Sequence, residues 1–195
     1  QAARETGVKR VVSASSSSVY GERDDFPLRE EVDTEPMSPY AVSKLAGENY
    51  CKVFTQLYGL ETVSLRYFNV FGPGMDPASD YSAFVAIFAT GLLEGRPLIV
   101  HGDGSISRDW TYIDNVVDAN LRAATAEGAS GEAFNVACGE SWTLNEVIEH
   151  LRELVGVEGD ITHGPPRAGD MPKSLASTEK AERLLGYQPV VAARE

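Results

Sequence analysis

The chain is poor in the residues that staple or metallate small domains. It holds two cysteines, Cys51 and Cys138, and three histidines, His101, His150 and His163, in 195 residues. Two cysteines cannot build a disulfide framework. The histidines have no metal-ligand spacing, so no metal site is expected. Positive charge is scarce as well, with 17 Lys and Arg against 29 Asp and Glu and a formal net charge of -12. That balance repels phosphate backbones and anionic membranes, which argues against nucleic-acid or membrane binding driven by bulk charge. Long apolar runs are missing too. The longest, Ala83 to Leu93, contains Thr90 and Gly91 and falls short of the roughly 20 residues of a membrane span. No basic segment followed by an apolar one opens the chain, so a cytoplasmic protein is the expectation.

What is present is globular. Hydrophobic residues make up 43% and charged residues 24%, enough for an ordinary core in one sizeable domain or two small ones. Gln1 to Gly7 reads as the tail of a helix and Val8 to Ala14 as a buried strand. The acidic loop from Glu22 to Pro36 reads as a solvated face. Ser38-Pro39 offers an N-cap with proline at the first helical position. Apolar residues at Val42, Leu45, Ala46, Tyr50, Val53, Phe54 and Leu57 then recur at helical spacing until Gly59. The β-rich run Thr62 to Phe68 completes a βαβ unit, which implies a parallel sheet.

Further on, the pattern predicts a helix near Ser82 to Leu93 and a strand over Pro97 to His101. A Gly/Ser turn follows at Gly102 to Ser107, then a helix capped by Asp114 to about Glu127 and a strand over Ala133 to Ala137. Thr143 with Glu146 makes a capping box for the next helix, and a last helix runs from near Ser177 to Gly186. The fold class is α/β throughout.

Two clusters point to chemistry. Tyr40 is the one tyrosine followed four residues later by a lysine, Lys44. Residues four apart share a helix face, and these sit in the first two turns of their helix. An isolated phenol has a pKa near ~10, too high for a base at neutral pH, so a neighbouring cation is what proton abstraction needs. The spacing alone is equally compatible with a core tyrosine and a snorkelling lysine. The strand Val8 to Ala14, however, ends in Ser15-Ser16-Ser17-Ser18-Val19-Tyr20-Gly21. Active sites of open parallel sheets form beyond the carboxyl ends of strands, where a serine hydroxyl can stand beside the phenol.

Together these residues resemble the extended short-chain dehydrogenase/reductase family, and within it the nucleotide-sugar 4-epimerases. The resemblance runs through SSSSVYG (Ser15 to Gly21), SPYAVSK (Ser38 to Lys44), LRYFNVFGP (Leu65 to Pro73), GDGSISRDWTYIDN (Gly102 to Asn115), FNVA (Phe134 to Ala137) and PPRAGDMPKSLAS (Pro165 to Ser177), in family order.

The resemblance implies the C-terminal part of a Rossmann-type sheet plus a smaller α/β substrate-binding domain. The first unit would span residues 1–69 and 111–139, the second 70–110 and 140–195. It implies NAD as cofactor, a UDP-sugar substrate and a homodimer. Tyr40 would be the catalytic acid/base, Lys44 would bind the nicotinamide ribose, and Ser16 would be the catalytic serine. Ser15, Tyr67 and Phe68 would join Tyr40 and Lys44 around the cofactor. Ser16, Ser17, Asn69, Phe84, Arg108, Arg167, Asp170 and Ser174 would contact the substrate, the two arginines gripping its pyrophosphate as bidentate cations do. For Arg108 the plain alternative is a surface salt bridge with Asp109.

Sister dehydratases and decarboxylases place a Glu just after the catalytic serine or threonine, where this chain has Ser17 and Ser18. That favours simple C4 epimerisation. The small Ser174 suggests room for an N-acetyl group on the sugar. One family element has no counterpart: a Gly-rich phosphate-binding turn after a first strand. Relative to the family, the chain begins at the helix before the fifth strand. The expectation is weak or no NAD binding and little turnover for the chain alone. A second reading is a non-enzymatic nucleotide-sugar-binding or dimerising module. The whole enzymatic reading requires the Tyr40 hydroxyl to face an enclosed site with Lys44 beside it.

Overall fold

The structure is a computed structural model and describes residues 1–78, 84–166 and 171–194. A short helix α1 (Ala2–Glu5) leads into β1 (Arg10–Ser16), and a 3₁₀ turn (Ser17–Tyr20) follows at once. The long helix α2 (Pro39–Tyr58) returns the chain to β2 (Glu61–Tyr67). Its ends are those the sequence marks: Ser38 accepts the Ala41 N–H at 3.1 Å, and Gly59 closes the helix in the left-handed region at φ 67°. Strand β1 pairs parallel with β2, Val12 opposite Val63, and β2 pairs parallel with β7 (Glu132–Val136), Leu65 opposite Phe134.

The order β1-β2-β7 makes β2 the central strand. Five consecutive β2 residues, Thr62 to Arg66, are buried, whereas β1 is mostly half-buried. A strand covered on both faces reads as an unbroken run rather than an alternation. The core on one face joins Val63, Leu65, Phe134 and Val136 to Val116, Ala119 and Ala123 of α4 (Ile113–Thr125) and to Ala181 and Leu185 of α6 (Glu179–Leu185).

A separate cluster of Phe88, Leu92, Leu98, Val100 and Ile148 forms between α3 (Phe84–Glu94), β4 (Leu98–His101) and α5 (Leu144–Val155). Here β4 pairs parallel with β9 (Ile161–Gly164), and β5 (Ser107–Asp109) pairs antiparallel with β8 (Ser141–Thr143). Two-residue strands β3 (Val70–Phe71) and β6 (Thr111–Tyr112) pair parallel beside the main sheet.

Two expectations need correction, and the two sides of α2 differ. Asp114 does not cap α4; Tyr112 precedes the helix and Asp114 lies in its first turn, where a carboxylate favours the N-terminal dipole. The apolar stripe of α2 does not all face the core. Val42, Tyr50, Val53 and Leu57 are exposed while Ala41 and Glu48 are buried, because the helix packs on the sheet through its small and polar side. The acidic loop is not wholly solvated either, since Glu30 turns inward and accepts the Asn135 N–H at 2.8 Å. The start of the helix placed near Ser82 lies outside the described residues, as does Ala83.

Candidate active site

The carboxyl end of β1 meets the first turns of α2. At the strand's last residue, Ser16 Oγ accepts the Ser18 N–H at 3.2 Å and the Ser18 hydroxyl at 3.0 Å, which turns the chain directly into the 3₁₀ segment containing Ser17. Gly21 ends that turn at φ 69°, where a Cβ would fall 2.1 Å from the Glu35 carbonyl oxygen. Lys44 Nζ donates to the Ala14 carbonyl oxygen at 3.0 Å and lies 5.5 Å from the centre of the Tyr40 ring. The cation is therefore fixed between helix and strand end, next to the phenol. Enclosure, in contrast, is not supplied by the described residues: Tyr40 is 52% exposed. Its turn of α2 projects past the sheet, with β1 and the 3₁₀ turn as its neighbours.

Beneath this corner lies a polar anchor. Glu48, one turn beyond Lys44, is buried and takes a bidentate pair from Arg66 of β2, Nε to Oε1 at 2.9 Å and Nη2 to Oε2 at 2.8 Å. The Ser15 hydroxyl also donates to Glu48 Oε1. The Ser15 side chain is thus committed to the α2 face of the strand and buried there. The Arg66 guanidinium also stacks 4.8 Å over the Tyr20 ring, and the Tyr20 hydroxyl donates to Asn135.

After β2 the chain leaves the main sheet toward β3 and β5. Tyr67 bonds through its hydroxyl to Asn120 of α4, and burial raises its pKa. Phe68 is 0% exposed, its side chain packed with Val19, Tyr20 and Ala137. Asn69 has φ 32° and donates through Nδ2 to the Asp109 carbonyl and to Ser174 Oγ, both at 3.0 Å. Ser174 is itself buried and accepts the Asp109 N–H at 3.4 Å. Arg108 lies on β5 opposite Trp142 of β8 and donates to the Ser107 carbonyl. Phe84 opens α3 and stacks on Phe88, with Trp110 6.2 Å away. Arg167 and Asp170 lie outside the described residues.

The structure thus brings Asn69, Ser174 and the Arg108-Asp109 strand into one bonded unit, and Lys44 and Tyr40 into another. It also shows what sequence reasoning missed. Asp109 is no surface partner of Arg108. It is 0% exposed, and its carboxylate accepts the N–H groups of Cys138 (2.9 Å), Gly139 (3.1 Å) and Ala176 (3.1 Å). Burial pushes its pKa up to about 7, against the pull of those donors. Nearby, burial first and then the Asp109 charge push the Cys138 thiol up to about 12, which keeps it protonated and removes it as a nucleophile. Glu48 could have been found from its i+4 position after Lys44; nothing in the sequence marks Asp109 as buried.

Among the described residues no three His, Cys, Asp or Glu side chains are placed to hold a metal, and no helix is long and apolar enough to cross a membrane.

Comparisons with known proteins agree in direction. The chain is 40% identical to the UDP-glucose 4-epimerase of Mycolicibacterium smegmatis over 196 residues, covering 100% of this chain and 62% of that protein. The crystal structure of UDP-glucose 4-epimerase from Thermotoga maritima with UDP-glucose superposes with a TM-score of 0.94 at 37% identity, over 99% of this chain and 62% of the other. The Thermus thermophilus UDP-glucose 4-epimerase in complex with NAD gives a TM-score of 0.88 at 37% identity, over 100% and 63%. The chain therefore spans about 62% of the length of the relatives it matches, and its parallel sheet is part of a Rossmann-like epimerase fold. Residues 1–137 match the model of one family throughout, and with that the chain belongs to the NAD dependent epimerase/dehydratase family.

Proposed function

We propose that this chain carries the acid/base and substrate-binding residues of a NAD-dependent UDP-hexose 4-epimerase. The single observation that carries the reading is Lys44, whose ammonium is pinned to the end of β1 within 5.5 Å of the Tyr40 ring. In this reading residues 1–69 and 111–139 form the cofactor-side unit and 70–110 with 140–195 the nucleotide-sugar unit.

The residues present fit one end of the dinucleotide. Lys44 and Tyr40 stand at the carboxyl end of a parallel strand, where a nicotinamide ribose can be held. No glycine-rich turn follows β1 to cradle the diphosphate. When bound, NAD supplies reversible hydride exchange with the sugar C4. The remaining work belongs to the protein. Tyr40 takes the proton from the 4-hydroxyl and returns it after the 4-keto sugar has turned over. Ser16 orients that oxygen, Lys44 holds the nicotinamide ribose, and Arg108 with Arg167 and Asp170 binds the UDP moiety. Ser17 and Ser18 in place of a carboxylic acid leave no acid for eliminating water, which favours epimerisation over 4,6-dehydration. The exposed α2 residues Val42, Val53 and Leu57 suit pairing with a second copy. A cytoplasmic location belongs to the same reading.

The half-exposed Tyr40 favours a second reading, a UDP-sugar-binding module without turnover. One experiment separates the two. The chain, alone and supplemented with a glycine-rich dinucleotide-binding segment, is incubated with NAD+ and UDP-glucose or UDP-N-acetylglucosamine and followed by NMR. Growth of the second epimer supports the enzyme; binding without conversion in both preparations supports the module. Where conversion occurs, Tyr40→Phe should slow it by about 10²–10⁴ while leaving UDP-glucose affinity unchanged, and an unaltered rate would remove Tyr40 from its role.

A further inference from the structure

A buried carboxylate held by backbone N–H groups takes no part in the proton transfer above. Asp109 accepts three backbone N–H groups from two separate segments: Cys138 and Gly139 in the turn after β7, and Ala176 in the strand-like run after residue 171. Its own backbone completes the junction. The carbonyl accepts from Asn69 Nδ2, and the N–H donates to Ser174 Oγ. Next to it Ser107 accepts the Ser174 N–H at 3.0 Å and donates its own N–H to the Pro172 carbonyl at 3.0 Å. Four stretches of chain, around Asn69, Arg108, Gly139 and Ser174, therefore meet at one residue: the Asp109 backbone bonds Asn69 and Ser174, and its carboxylate ties that strand to the turn at Cys138-Gly139 and to Ala176.

We infer that Asp109 is the positioning residue of the substrate side, its carboxylate fixing how Asn69, Arg108 and Ser174 are presented to a nucleoside diphosphate sugar. The inference rests on the reading under Proposed function and adds a residue that touches neither substrate nor cofactor. A carboxylate can receive all three donors at once; a carboxylic acid or an amide offers fewer acceptor positions and leaves a buried N–H unpaired. The junction should accordingly loosen when Asp109 is protonated. The titratable groups facing it are Glu140 and Cys138 from the turn and Tyr187 beyond α6. Burial keeps Cys138 and Tyr187 protonated across neutral pH, while Asp109 itself titrates near 7.

The test uses the 195-residue chain and its Asp109→Asn variant. UDP-glucose affinity is measured by calorimetry between about pH 5.5 and 8.5, a window in which the ligand's own diphosphate does not titrate. Nitrogen-15 NMR follows the amides of Cys138, Gly139 and Ala176 and the Asn69 side-chain amide. In the unaltered chain, affinity should fall roughly tenfold from the alkaline to the acid end, about one lost hydrogen bond. The four signals should move together over the same range. In Asp109→Asn, affinity should be low and flat with pH and the Asn69 signal displaced, while the Val63 and Leu65 amides of β2 stay in place. If Asp109→Asn leaves the Asn69 signal where it was, or keeps the pH profile, the clamp is overturned while the substrate reading stands. If the unaltered chain binds no UDP-glucose at any pH, the substrate reading falls and the role assigned to Asp109 falls with it. Should the variant not fold, the titration of the four signals in the unaltered chain decides alone.

Discussion

The two sides of the candidate site are built differently. On the catalytic side Tyr40 stands half in solvent, and Lys44 reaches the sheet through one backbone carbonyl. On the substrate side Asn69, Ser174 and Asp109 are locked in a buried network of backbone and side-chain bonds. Recognition of a rigid, charged diphosphate gains from donors held in place before the ligand arrives. In the proposed reading a proton carrier must instead meet a sugar that turns over between two hydride transfers, and the described residues leave that space open. Under that reading, ligand binding tests the bonded network around Asp109, whereas turnover also tests the Tyr40 corner.

The first way to break the comparison lies under the open side. If the Tyr40 corner were loosely held throughout, Glu48→Ala would be nearly neutral. We expect the opposite. Removing Glu48 leaves the Arg66 guanidinium buried without its counter-charge and frees the Ser15 hydroxyl, which should cost about 3–5 kcal/mol in urea unfolding. The openness at Tyr40 would then be local, a projecting side chain on a firmly anchored helix.

A second, smaller effect sharpens the tied side through pH. Asp109 has a folded-state pKa of about 7, above the ordinary 3.8, because burial disfavours its charge. The folded chain thus holds this proton more tightly than the unfolded chain. Its contribution to stability is fully present below about pH 4 and is lost as pH rises through 7. Relative to Asp109→Asn, the stability of the unaltered chain should fall across that window with a slope of up to about 1.4 kcal/mol per pH unit. A parallel course of the two curves would mean that the buried carboxyl does not titrate there. If Asp109 orders this side of the site as inferred, the same charge weakens the fold at neutral pH, a trade common at functional sites.

How far the sequence could be read follows from the same physics. The N-cap at Ser38, the stop at Gly59 and the capping box at Thr143 and Glu146 are local hydrogen-bond patterns, and the structure contains all three. The strands ending at the candidate site were legible because β-favouring pairs, Val11-Val12 and Thr62-Val63, follow the helix stops at Gly7 and Gly59. Strands β3, β5, β6, β8 and β9, two to four residues each, carry too few positions for any periodicity. Direction was the other blind spot. The apolar stripe of α2 gives a face but not which neighbour covers it, and the exposed Val42, Val53 and Leu57 lie opposite the buried Glu48. Likewise the burial of Asp109 was not legible, because the three N–H donors that draw it inward come from residues 29 to 67 positions away.

The smallest effect tests how far the tied side extends. Thr143 caps α5: its hydroxyl accepts the Glu146 N–H at 3.2 Å while Glu146 reaches back to the Thr143 N–H at 2.8 Å. The start of that helix holds the turn that leads into Arg108. Leu144 N–H donates to Ile106, Asn145 N–H to Gly104, and Asn145 Nδ2 to Asp103. Gly104 sits there at φ 78°, so close that a Cβ would fall 2.0 Å from Asn145 Oδ1. Thr143→Ala should cost about 1 kcal/mol of stability. If the network around Asp109 continues through this turn, UDP-glucose affinity should drop as well, by a few-fold, with turnover per bound substrate unchanged. An affinity untouched by the lost cap would place the boundary of the rigid substrate side between Ile106 and Arg108.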